Sequence, residues 1–392
     1  MIKGEASLVI DFGNSETRVV TIFGRHKSGK PRTCLSKLSN RFATLGDDKL
    51  LSHPDYDDTN SKVFKLEEGS LFCTGKMCER ERGAVALRPS ASLKKHSSDV
   101  TLYSTRMALL QGILDVAKMS KCSPESVDVT WNISVLLPPS DLDVGADIIK
   151  KGIGDIKEIN FLMPEISKDI NINSIKVLPE GFCAYIGTLF ESATEIREGY
   201  ESILEETTLV IDIGAGTSDY CIIQNAELID TSRYSEDIGG NQISQRVNNW
   251  ARRTYGRNLA EETIKSACLT GRLKIGARED DITSAVIEAR QDVATQLSTS
   301  ISSYLESTNF NIFDIQNILI CGGGAVETSK NFKALGTYLK EKLAGIMTYS
   351  KFLDIPEEDS QEIKNGIVTP KKVKVSPRIL NIKGAAVLSE LQ

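Results

Sequence analysis

The stretch "SLVIDFGNSETRVVTIF", residues 7–23, decides the reading of this chain because its pattern returns as "TLVIDIGAGTSDYCIIQ", residues 208–224. Each copy runs through apolar residues to an Asp, one further residue and a Gly. A small polar turn and a second apolar run follow. Apolar and β-branched residues on both sides of such a turn predict a hairpin. Asp11 and Asp212 stand 201 positions apart (212 − 11), about half of the 392 residues, which is the spacing of a duplicated domain.

Length agrees with duplication, since 392 residues exceed the usual domain of about 100–200 residues. A hydrophobic content of 40% and a charged content of 26% exclude a disordered or fibrous chain. With 47 basic and 53 acidic residues the formal charge is −6, so the broad positive footprint of a direct DNA binder is missing. The start, "MIKGEASLVID", lacks the apolar core of a secretory signal, and no window reaches the ~18 apolar residues of a membrane span. A cytoplasmic protein without a membrane partner is expected. Eight cysteines without a CxxC pair, several inside apolar runs such as "DYCII", read as buried reduced thiols. Three histidines, all in polar stretches, favour neither a zinc site nor a histidine base.

Along the chain, strands and helices mix, which gives an α/β class. Residues 101–120 and 284–307 carry apolar residues at helical spacing, and "VDVTWNISVLLPPSD", 127–141, reads as a buried strand ended by two prolines. "KVFKL" and "SLFCTG" read as edge strands of a small appended subdomain within residues 24–100. "GRHKSGKP", 24–31, approaches the GxxxxGK[ST] phosphate loop, but Pro31 replaces the Mg²⁺-binding hydroxyl, so a hairpin loop is expected.

The chemistry of the duplicated hairpins follows from their turns. Glycines and small polar residues let successive backbone N–H groups approach phosphate oxygens. Gly13, Asn14 and Ser15 would form one clamp, and Gly214, Ala215, Gly216 and Thr217 the other. A strand-end Asp suits hydrated Mg²⁺, which keeps most of its waters; Asp11 and Asp212 fit that task. Taken alone, a single such hairpin would be an ordinary turn. In "VLPEGF", Glu180 follows a strand and opens a helix, where a carboxylate can orient water; a helix-start acid favoured by the dipole is the plainer alternative. "ILICGGGA" places Gly322, Gly323 and Gly324 where backbone can lie against a flat base or ribose that a side chain would obstruct.

In this order the parts "VIDFGNSETR", "VLPEGFCAYIG", "VIDIGAGTSD", "LICGGGAVE" and "IKGAAVL" resemble the actin, sugar-kinase and heat-shock-chaperone superfamily of ATPases. Within it the chain looks most like the bacterial actin-like plasmid-segregation ATPases of the ParM type. The resemblance implies two related lobes of actin-like, ribonuclease H-like βββαβα fold with a nucleotide cleft between them. Residues 1–180 plus 379–392 would form one lobe, and residues 181–378 the other. It also implies ATP or GTP with Mg²⁺, and head-to-tail assembly of the protein with itself into dynamic filaments. Carried over by motif, Asp11 and Asp212 hold Mg²⁺ through water, and Gly13, Asn14, Ser15, Gly214, Ala215, Gly216 and Thr217 face the phosphates. Arg18 stands where relatives often have a Lys. Glu180 positions the attacking water, Gly322–Gly324 meet the adenosine, and Gly239 and Gly240 in "DIGGN" lie on its ribose side. Ala215 departs from eukaryotic actin, which has an acid there.

By the same resemblance the filaments would segregate plasmid DNA through an adaptor protein bound to centromere-like DNA, with no direct sequence-specific DNA binding. A small-molecule kinase of the same fold and a bacterial cell-shape or division actin homologue are the alternatives. A chaperone would need a peptide-binding domain after the second connecting helix, where this chain has only a few residues.

Overall fold

In a computed structural model the described residues are all but 14–15, 46–60, 67–68, 81–97, 327–330, 365–366 and 391–392. They form two units, Met1–Pro179 with Ala385–Gln392, and Glu180–Gly384.

The first unit is built on the strand Ile2–Phe12, whose apolar end turns back at Gly13 into Glu16–Arg25. Pro31–Ser39 continues antiparallel on its outer edge, and His26 N–H donates to Lys30 O at 2.8 Å, so residues 26–30 close a hairpin and not a phosphate loop. On the other side Val127–Leu137 and Asn171–Pro179 run parallel to the first strand. Parallel strands need crossovers, which here contain the helices Asp99–Ser120 and Leu142–Gly154. Leu8, Ile10, Val19 and Trp131 share one buried cluster with Met107, Leu110 and Ile113 of the longer helix. Ser134 Oγ lies 3.0 Å from Ser389 Oγ, at the end of the helix Leu380–Ser389.

A smaller antiparallel sheet joins Ala43–Leu45, Leu71–Thr74 and Lys62–Lys65 to Glu158–Met163 and Glu165–Asp169. "KVFKL" and "SLFCTG" thus lie side by side within it, completed by strands from far along the chain. Phe42, Phe64 and Phe72 pack its base against Tyr103 of the long helix, and Phe161 packs on Phe64.

The second unit repeats the plan. Thr208–Ile213 pairs antiparallel with Ser218–Gln224 and parallel with Asn317–Cys321. The helix Thr283–Ser307 carries Val286, Val293, Leu297 and Ile301 into the core against Leu209, Ile211 and Tyr220. The acidic-then-basic stretch near the C-terminus forms a hairpin, Glu357–Lys364 with Ile367–Lys374. Two helices, Phe182–Leu189 and Leu380–Ser389, meet where Gly187 faces Gly384. A Cβ on Gly384 would run into the Cys183 carbonyl, so the backbones approach as only glycine allows.

Candidate functional site

The two hairpins agree in detail across the 201-residue offset. In the first, a Cβ on Gly13 would stand 2.7 Å from Glu16 O; in the second, a Cβ on Gly214 would stand 2.9 Å from Thr217 O. Each glycine therefore closes its turn against the carbonyl three residues on. The residue seven positions after each Asp lies across the ladder from it: Arg18 opposite Asp11, Asp219 opposite Asp212. All four are buried.

What differs is the charge in those partner positions. Arg18 donates from Nη1 to Asp11 Oδ2 at 2.9 Å, and from Nε and Nη2 to Glu16 Oε1 at 3.1 and 3.0 Å. The guanidinium expected beside phosphate is thus held by two carboxylates. Asn40 donates from Nδ2 to the Gly13 carbonyl, bracing this turn from the next strand's end. Asn14 and Ser15 lie outside the described residues.

In the second hairpin two carboxylates, Asp212 and Asp219, face one another on neighbouring strands, and like charges directly opposite repel. Ser235 Oγ donates to Asp219, and Asn381 Nδ2 donates to Asp212 Oδ2. On the other flank Cys321 pairs with Asp212 in the parallel ladder. Burial pushes the Cys321 thiol well up, helped by Asp212, Cys221, Glu180 and Asp219. The negative field of three acids, Glu180 among them, therefore converges at the strand ends.

The turn Gly214–Thr217 is half-exposed. The loop before the helix Asn241–Tyr255 is tied to it: Gly240 N–H donates to Gly214 O at 3.0 Å, and Asn241 N–H to Ala215 O at 2.7 Å. A Cβ on Gly239 would sit 2.8 Å from Ala215 O, which is why a glycine precedes the helix here. The "GGG" turn also reaches this place. Gly322 has φ of +85°, its added Cβ would collide with Asp212 Oδ1, and one on Gly324 would meet Ile213 Cγ2. Gly323 lies beside the Arg378 guanidinium.

Glu180 is 6% exposed. It opens a γ-turn in which Phe182 N–H donates to Glu180 O around Gly181, at φ +61° and ψ −60°, a conformation strained for any residue with a Cβ. The Pro-Glu-Gly order follows from that turn. Gly181 N–H donates to Asn381 Oδ1 at 3.0 Å. Glu180, Asp212, Gly214–Thr217, Gly239, Gly240 and Gly322–Gly324 are thus brought to one place in the second unit, while Asp11, Gly13 and Arg18 gather in the first.

Three side chains here carry no role in the sequence reading: Asn40, Asn381 and Asp219, the last residue of "VIDIGAGTSD". Aligning the two hairpins at the offset of 201 would have found Asp219 in the place that Arg18 holds in the first. Asn381 precedes the "IKGAAVL" segment by one residue, and no local pattern marks it or Asn40. Among the described residues no group of three or more His, Cys, Asp or Glu is placed to hold a metal ion, and no helix is long and apolar enough to cross a membrane.

Residues 210–334 match the family model for the C-terminal part of archaeal MreB-like actin homologues. No curated protein sequence matches the chain. Among solved structures, the archaeal actin homolog Ta0583 matches with a TM-score of 0.65 and 15% identity, over 98% of this chain and 99% of that one. Its complex with ADP matches at 0.59 and 14%, over 99% and 100%. A 15-stranded ParM filament from Clostridium botulinum matches at 0.62 and 16%, over 99% and 100%. Bacillus thuringiensis ParM with AMPPNP gives 0.60 and 14%, over 99% of each chain. At such identities the likeness concerns the fold, and the chain has the mixed α/β, two-lobed actin-like fold over nearly its full length.

Proposed function

We propose that this chain is an ATPase that polymerises with nucleotide into homopolymeric filaments, in the manner of actin-like proteins. The observation that carries this reading is the repeated hairpin: a buried Asp at a strand end and a glycine closed against the carbonyl three residues on, in both units. Such turns present backbone N–H groups to phosphate. The solved neighbours include one bound to ADP, one bound to AMPPNP and one filament.

The residues present fit a magnesium nucleotide. Asp219 lies opposite Asp212 on the neighbouring strand, so carboxylates gather at that strand end. Strand-end carboxylates suit a hydrated ion, and by the repeated motif Asp11 and Asp212 are assigned to hold it through water. Bound Mg²⁺ would offset phosphate charge. Gly13, with Asn14 and Ser15, and the turn Gly214–Thr217 would orient the phosphates; Gly322–Gly324, Gly239 and Gly240 would lie against the nucleoside. Glu180 is assigned to the attacking water, accepting its proton or aligning it.

We further infer that the filaments segregate plasmid DNA through an adaptor, supported by the ParM neighbours and the net acidic charge. The match to the archaeal MreB-like model favours a second reading, an actin homologue that serves the cell itself. A gene for a small DNA-binding protein beside this one on a plasmid would select the first. Assembly itself is tested by adding ATP and Mg²⁺ to the purified protein and following right-angle scattering and pelleting. Polymer above a critical concentration is expected; a protein that stays monomeric and phosphorylates a small acceptor would favour the kinase alternative.

A further inference from the structure

We propose that Asn381 is a positioning residue that holds Glu180 and Asp212 in one fixed relation, an inference that rests on the roles assigned to those carboxylates above. Its buried side chain bridges two segments far apart in sequence. Nδ2 donates to Asp212 Oδ2 and Oδ1 accepts from Gly181 N–H at 3.0 Å. A carboxamide is the shortest side chain that offers a donor to a carboxylate and a carbonyl acceptor to an amide at the same time.

Both ends of the bridge are constrained. Asp212 Oδ1 lies against the Gly322 backbone, where a Cβ would collide with it, so with Oδ2 bonded to Asn381 the carboxylate has no free rotation. Gly181 is the centre of the γ-turn that begins at Glu180, so fixing its N–H fixes the backbone from which Glu180 projects. Asn381 itself stands in the first turn of the helix Leu380–Ser389, which is locked by the Gly187–Gly384 approach. Asn381 is assigned no contact with reacting atoms; it acts through its neighbours.

The test uses the full chain with Asn381→Ala, and Asn381→Ser as a second variant that keeps a small polar group should the first not fold. In nucleotide-free protein, hydrogen exchange at the Gly181 amide should accelerate by about tenfold or more once its acceptor is gone. With ATP and Mg²⁺, single-turnover hydrolysis should slow by about 10²-fold, the loss typical of a displacement near 1 Å, and Mg²⁺-dependent ATP affinity should fall as well, because Asp212 loses its Oδ2 partner. Combined with Glu180→Ala, the substitution should cost less hydrolysis than it does alone, because part of its effect acts through Glu180. Unchanged Gly181 exchange, or losses that multiply in the double variant, would overturn the proposal. Wild-type hydrolysis by Glu180→Ala alone would sink the underlying reading instead, and the Gly181 exchange measurement would still decide the bridge on its own.

Discussion

Arg18 donates from Nη1 to Asp11 Oδ2 at 2.9 Å, spanning one rung of the first hairpin's ladder. The equivalent rung of the second hairpin sets Asp219 against Asp212. One buried aspartate is thus neutralised by its own hairpin, and the other is held in a negative field.

The two aspartates should therefore respond differently to removal. Asp11→Ala removes one of the carboxylates that pair with the buried Arg18 guanidinium, and breaking such a pair costs about 3 kcal/mol. Asp212→Ala loses the Asn381 bond but relieves repulsion from Asp219, so its stability should change by no more than about 1 kcal/mol. Its Mg²⁺-dependent nucleotide affinity should fall instead. Urea melts and titration calorimetry on both variants check this; equal destabilisation would refute the asymmetry.

Gly322→Ala meets two obstacles together, a backbone φ of +85° and a Cβ placed on Asp212 Oδ1 with Ile213 O at 2.6 Å. Residues forced into such conformations cost about 1–3 kcal/mol before any clash. A lower melting temperature together with weakened nucleotide binding is expected, because relief requires Asp212 to move. Normal nucleotide affinity in the folded variant would separate Gly322 from the site.

At the helix crossing the expected outcome is purely structural. Gly384→Ala drives a methyl into the Cys183 carbonyl, and overpacking of this kind costs about 1–3 kcal/mol. Denaturant midpoints should report it, and an unchanged midpoint would show that the helices separate freely.

Thiol labelling reads the electrostatics without nucleotide. Cys34 and Cys122 are the half-buried cysteines; the other six are buried. Burial, then Asp115, pushes the Cys34 thiol up, while burial, Asp219 and Asp212 push Cys221 up. A raised pKa leaves less thiolate at a given pH, and the thiolate is the nucleophile. At pH 8 a disulfide reagent should therefore reach Cys34 and Cys122 in the native protein, and Cys221 and Cys321 only after unfolding. Rapid native labelling of Cys321 would contradict the acid-rich setting assigned to it.

How much of this could be read beforehand depends on the range of each interaction. The hairpins were legible because a strand, a glycine turn and a returning strand are contiguous, and the spacing of 201 exposed the repeat. The helices Asp99–Ser120 and Thr283–Ser307 were legible from periodicity. By contrast, the small sheet pairs Lys62–Lys65 with Glu158–Met163, and nothing in either segment specifies the other. The hairpin Glu357–Lys364 with Ile367–Lys374 was hidden by its polarity. Asn381 could not be found because its role exists only where a late helix meets both Gly181 and Asp212.

The central claim concerns Glu180, because binding and hydrolysis should separate there. Glu180→Ala leaves both glycine turns intact and removes a group needed at the moment of reaction, worth about 10²–10⁴-fold in rate. Phosphate release and right-angle scattering, recorded together on wild type and variant after adding ATP and Mg²⁺, test it most directly. The account predicts near-normal assembly, a steep fall in phosphate release and polymer that persists. Hydrolysis within a few-fold of wild type, with polymer that dissolves on the same schedule, would contradict it.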